Sequence, residues 1–120
     1  MNKTAVKLFA AAMLLASAGS ALSALHYVDV NSTNATPPYT NWATAATNIQ
    51  DAVDAAVAGD EIVVTNGIYA SGGRAASADS TPNRVAVDKP LSVRSINGPQ
   101  FTTINGDRSG VRCVGVIKVG

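Results

Sequence analysis

The chain has one cysteine, Cys113, so no internal disulfide can hold it together. It also has one histidine, His26, which is far from Cys113 in sequence. A thiol activated by a neighbouring histidine therefore finds no support in the local sequence. Cys113, within Val111-Arg112-Cys113-Val114, reads instead as a small apolar residue facing a core. Charge is sparse, with nine Lys and Arg against eight Asp and Glu in 120 residues. No basic run occurs, which excludes a nucleic-acid partner, because phosphate binding needs clustered cations. Long apolar runs are also missing. The longest, LFAAAMLLA at residues 8–16, is nine residues long. That is too short to cross a bilayer as a stable helix.

What that run does fit is an export signal. Lys3 and Lys7 precede it, and small residues follow it. Ala21-Leu22-Ser23 places small side chains at the −3 and −1 positions of a signal-peptidase site. The reading is a signal peptide over residues 1–23 and a mature region over residues 24–120, with cuts after Ala21 or Ala24 as alternatives. Removing Lys3 and Lys7 leaves seven basic against eight acidic groups, net −1. The mature chain is expected to be secreted or held at the cell surface, with no membrane span.

Along the mature chain the periodicity changes twice. Tyr27-Val28-Asp29-Val30 reads as a short strand, and the Asn-, Thr- and Pro-rich residues 31–41 as a loop. Ile49, Ala52, Val53, Ala56 and Val57 then recur at helical spacing. Thr44 or Thr47 can cap this helix, Gly59 stops it, and Gln50, Asp51 and Asp54 form its polar face. After Gly59 come short β-branched runs at residues 62–65, 68–69, 84–87, 91–96 and 101–104. Residues 70–83 read as a polar loop. Asn66-Gly67 is ordinarily a hairpin signal. Here the strands are short and several turns contain Pro, so each strand is expected to pair with one from a later pass. The runs beginning at Ile62 and Leu91, and the one around Cys113, suggest repeats of a solenoid.

The composite of NIQDAVDAAVAGD, EIVVTNGIYASGGR, NRVAVDKPLSVRSINGPQFTTING and VRCV resembles the N-terminal region of exported bacterial proteins of the pectin-lyase-like superfamily. The likeness covers residues 27 to about 114 and implies an all-β fold. That fold is a right-handed parallel β-helix with an amphipathic capping helix, truncated after about two coils. The superfamily includes polysaccharide lyases, esterases, glycoside hydrolases and surface proteins without known chemistry, so the resemblance implies a scaffold and no particular activity. Its catalytic residues lie on later coils, and none is matched here. A solenoid of so few repeats is expected to be a fragment with an open C-terminal strand edge.

No catalytic, cofactor-binding or metal-binding residue is assigned from sequence. A calcium-assisted lyase needs clustered carboxylates and a basic residue. Asp79, Asp88 and Asp107 are scattered over turns, and Arg94 reads as a solvated strand residue. Asp60 and Glu61 are adjacent and would point to opposite faces, unlike a glycosidase pair. They read as turn formers. Residues 29–34 lack the Gly and distal Glu of a calcium loop. Gly72-Gly73-Arg74 lacks a phosphate-loop lysine and opens no helix. The Asn31 and Asn34 triplets read as chance matches to a glycosylation signal. Tyr39 and Trp42 read as aromatics that pin the helix to the first strands.

The functional expectation is a non-catalytic N-terminal scaffold segment of a secreted or surface β-helix protein that contacts extracellular polysaccharide. The alternatives are a fragment of a polysaccharide lyase or other carbohydrate-active enzyme with its active site beyond residue 120, or an adhesin-like surface protein. No cofactor is expected. Polysaccharide and a second copy at the open edge are the expected partners.

Overall fold

The computed structural model describes residues 22–75, 81–107 and 110–116. Most of the expected signal peptide therefore lies outside the described residues, as do Asp79 and residues 117–120.

Among the described residues, eight strands form three small sheets. Strands β1 (Leu25–Val28), β2 (Glu61–Val64) and β6 (Ser92–Ser95) make a parallel sheet in the order β1-β2-β6. Its register aligns His26 with Ile62 and Ile62 with Val93. Strands β3 (Gly67–Tyr69) and β7 (Thr102–Ile104) pair in parallel as a second sheet. The third, in the order β4-β5-β8, is mixed. Here β4 (Arg74–Ala75) runs antiparallel to β5 (Pro82–Val87), which is parallel to β8 (Arg112–Val116). A three-residue 3₁₀ helix (Trp42–Thr44) and helix α1 (Ile49–Ala55) lie between β1 and β2 in sequence.

Asn66-Gly67 makes no hairpin, and the strands on either side belong to different sheets. Gly67 has φ 150°, and a Cβ there would lie 2.6 Å from Val30 Cγ1, so this turn requires glycine. Helix α1 forms where the apolar spacing predicts it, and Ile49, Ala52, Val53 and Ala56 are buried. Its limits differ from expectation. The cap is Asn48, whose side chain accepts from the Asp51 N–H, and Thr44 belongs to the 3₁₀ helix capped by Asn41. The chain turns extended at Ala56, before Gly59, leaving Val57 exposed.

The core is one cluster joining Val28, Ile62, Val64, Tyr69 and Val85 from the strands to Ile49, Ala52, Val53 and Ala56 from the helical segment. Val63 is buried as well, so β2 is covered on both faces.

This architecture corrects the expected fold. The described residues form a mixed, small α/β body with no solenoid and no closed barrel. The residues expected to be surface loop supply β4 and an antiparallel pair, Arg74 opposite Asn83 and Ala75 opposite Pro82. The strands divide among three small sheets, one of them mixed, where a parallel β-helix would stack them in continuous parallel sheets. The repeat spacing held only in part: the runs beginning at Ile62 and Leu91 pair in parallel, with Ile62 opposite Val93, but the run around Cys113 pairs with β5, Val85 opposite Val114, and not with the Leu91 run.

Candidate functional site

The most concentrated polar chemistry lies where β1, the residue 36–39 turn and the α1–β2 junction meet. His26 alternates inward between exposed Leu25 and half-buried Tyr27, because successive strand side chains point to opposite faces. Asp60 ends the turn after α1, immediately before β2. Both are buried, with 4% relative exposure each. His26 Nε2 lies 2.8 Å from Asp60 Oδ2, and Nδ1 lies 2.7 Å from the Pro38 carbonyl. Both neighbours are acceptors, so a ring with hydrogen on each nitrogen donates to both. Asp60 also accepts from the Val57 N–H at 3.0 Å and the Ala24 N–H at 2.9 Å. The Val57 amide, then the Ala24 amide, then His26 hold the Asp60 carboxyl down to about 2. A carboxylate so stabilised is a poor general base near neutral pH. What this arrangement does is join three chain segments.

Other buried or half-buried polar side chains act on the main chain in the same way. Gln50 accepts from the Ala86 N–H at 2.7 Å and donates to the Ala86 carbonyl at 3.2 Å, tying α1 to β5. Arg84 donates to the carbonyls of Gly72, Asn105 and Gly106 at 2.7, 2.8 and 3.2 Å. Lys89 Nζ donates to the carbonyls of Val53 and Ala56 at 2.9 and 2.7 Å, satisfying the C-terminal end of α1. The Tyr69 hydroxyl donates to the Thr65 carbonyl at 2.8 Å and accepts from the Val30 N–H at 3.3 Å. Burial pushes its pKa up.

The residues considered from sequence are not brought together. Asp88 pairs with Arg74 at 2.7 Å, and this guanidinium lowers the Asp88 carboxyl below its ordinary range. Asp107 is exposed and lies 3.9 Å from Arg84 Nη2. Arg94 is exposed, as expected, and pairs with Glu61 across β6 and β2. Asp60 proves to be a buried hub, although its place beside a turn suggested only turn formation. Cys113 is exposed on β8, which corrects the expectation of a core-facing thiol. Tyr39 is buried in the core cluster, and burial, followed by Asp51 and Asp54, pushes its pKa up. Trp42 remains 39% exposed and packs edge-on against Tyr27, with ring centroids 4.7 Å apart. In the 29–34 segment, Asp29 Oδ1 accepts from the Asn31 N–H at 2.9 Å, an ordinary Asx turn. Among the described residues no group of three or more His, Cys, Asp or Glu is placed to hold a metal ion.

Gln50, Arg84 and Lys89 carried no sequence signal of their roles. Each reaches partners 12 to 36 residues away, and the helical spacing put Gln50 on the polar face.

No family model, no curated protein and no solved structure matches the chain. Among the described residues, no helix is long and apolar enough to cross a membrane.

Proposed function

We propose that the chain is an exported, non-catalytic scaffold segment that meets extracellular polysaccharide and associates with copies of itself. The observation that carries the scaffold reading is the use of its buried polar groups. The buried Gln50, Asp60 and Arg84, together with the half-buried Lys89, all reach main-chain amides or carbonyls. In a catalytic site such groups would converge on a cavity where a substrate atom could sit. The test is to incubate the mature chain with a uronate polymer. Formation of an ultraviolet-absorbing unsaturated product overturns the reading.

Polysaccharide contact is supported by the half-exposed Trp42 ring braced against Tyr27. Trp42 is the sole tryptophan, so fluorescence reports this face alone. Titration with an acidic or neutral polysaccharide should shift or quench its emission, and the shift should vanish in Trp42→Ala. Unchanged emission at saturating polymer removes Trp42 from the interaction.

Self-association is supported by the strand order. β6, β7 and β8 each terminate a sheet. Val93, Phe101, Val114 and Val116, on or beside these strands, are 40%, 55%, 47% and 75% exposed. Terminal strands of this kind are templates for pairing. A mature net charge of −1 provides little repulsion between copies.

A further inference from the structure

Asp60 has a partner whose chemistry changes if the chain is processed. Its Oδ1 accepts from the main-chain nitrogen of Ala24 at 2.9 Å, and the Ala24 carbonyl accepts from the Glu61 N–H at 2.9 Å. Ala24 is thus seated on the folded body just before β1 begins at Leu25. The two residues before it are exposed and outside any secondary structure, with Leu22 at 92% exposure. A protease can reach this segment without opening the core. The Asp60 side chain, by contrast, is only 5% exposed, and its Oδ2 is already occupied by His26 and the Val57 N–H.

We infer that the Ser23–Ala24 bond is a processing site and that the α-ammonium group it releases docks on the buried carboxylate of Asp60. This inference rests on the export reading. In the step, water adds across the Ser23–Ala24 peptide bond, catalysed by a signal peptidase of the exporting cell. The Ser23 carbonyl carbon becomes a carboxylate and leaves with residues 1–23. The Ala24 nitrogen takes up protons and becomes an ammonium. A hydrogen bond in which only the acceptor is charged is thereby replaced, on the same two atoms, by one in which donor and acceptor are both charged.

The neighbouring cuts do not produce this pair. Cleavage after Ala21 leaves Leu22 and Ser23 attached and keeps the Ala24 nitrogen as an amide. Cleavage after Ala24 removes the group that Asp60 Oδ1 holds. Cleavage after Ser23 also has small residues at −3 and −1, Ala21 and Ser23. Processing then strengthens the junction that ties the N-terminus to the α1–β2 turn through Val57 and to the Pro38 turn through His26.

The full chain should be expressed in a bacterial host that exports it, and the product examined by intact mass and N-terminal sequencing. The expected product begins at Ala24. A product beginning elsewhere overturns this inference while leaving export in place, and a full-length product retained inside the cell overturns both. A second measurement follows acylation of the α-amine in the mature chain. Docking predicts a reaction on the order of tenfold slower than in an unstructured peptide with the same N-terminus, because a charged, hydrogen-bonded amine must first be released. Acetylating the α-amine should lower the melting temperature by roughly 5 °C, the shift expected for about one charge-assisted bond in a domain this size. In Asp60→Asn, free and acetylated chains should melt together. An α-amine that acylates at the peptide rate, or an acetylation effect that persists in Asp60→Asn, overturns the docking. If Asp60→Asn does not fold, the acylation rate in the unaltered chain decides.

Discussion

At the scale of single residues, stability depends on a few polar side chains that close onto the backbone. Asp60 predicts an acid response. Its carboxyl lies at about 2, below the ordinary 3.8. A group depressed in the folded state contributes stability above its unfolded pKa and loses it as pH falls through the folded value. The Asp88 carboxyl, lowered by Arg74, acts in the same direction. Melting temperature should therefore fall steeply between about pH 4 and pH 2, and Asp60→Asn should make that fall shallower. An unchanged acid profile in the variant would remove Asp60 from the account. Arg84 supports a different junction, since its guanidinium satisfies three carbonyls from two turns and its side chain is only 10% exposed. Arg84→Ala should cost about 2–4 kcal/mol, because the buried Gly106 carbonyl loses its donor, two part-buried hydrogen bonds are lost and packing is lost along the stem. Urea unfolding would measure this. Arg84→Lys should recover only part of it, because one ammonium cannot span three acceptors held by a planar fork.

Among secondary-structure elements, α1 is the most exposed to local chemistry. It has seven residues, too few to be stable without tertiary contacts and caps. Asn48 accepts from the Asp51 N–H at 2.9 Å and donates to the Asp51 carboxylate, so it anchors both main chain and side chain of the first turn. Asn48→Ala should cost about 1 kcal/mol, measurable by chemical denaturation, while Asn48→Asp should lose much less of the main-chain cap. The apolar face of this helix was legible in the sequence because Ile49, Ala52 and Val53 repeat at its period. The cap was not, because Thr44, Thr47 and Asn48 all precede that face and the selection depends on which residue turns extended. Asn48 does so, at φ −136° and ψ 158°. The strand segments were largely legible from β-branched runs and turn residues. Pairing with strands from later passes was legible too, as in β2 with β6, but the division into three sheets and the antiparallel β4–β5 pair were not, because residues 70–83 read as polar loop. Asp60 and Gln50 show the same limit at the candidate site. Each looks like an ordinary turn or surface residue until segments 34 to 36 residues away close over it.

For the whole molecule, the distribution of exposed apolar residues is uneven. The first strands of the parallel pairs surround the core, with Val28, Ile62 and Val64 at 2% exposure or less. The terminal strands carry or adjoin Val93, Phe101, Val114 and Val116, all at 40% or more. A sheet edge with apolar side chains gains burial by pairing with another copy. Pairing must still outweigh the loss of translational and rotational freedom, so the association should depend strongly on concentration. Sedimentation velocity of the mature chain over about a hundredfold range near micromolar to submillimolar should show a rising weight-average mass, as mass action requires. Lysine at an edge opposes such pairing. Val93→Lys on β6 and Val114→Lys on β8 should therefore return the chain to monomer without lowering its melting temperature by more than a few degrees, because both positions are already exposed. A wild-type chain that remains monomeric across the range, or lysine variants that associate as strongly as wild type, would rule out these terminal strands as the self-association surface.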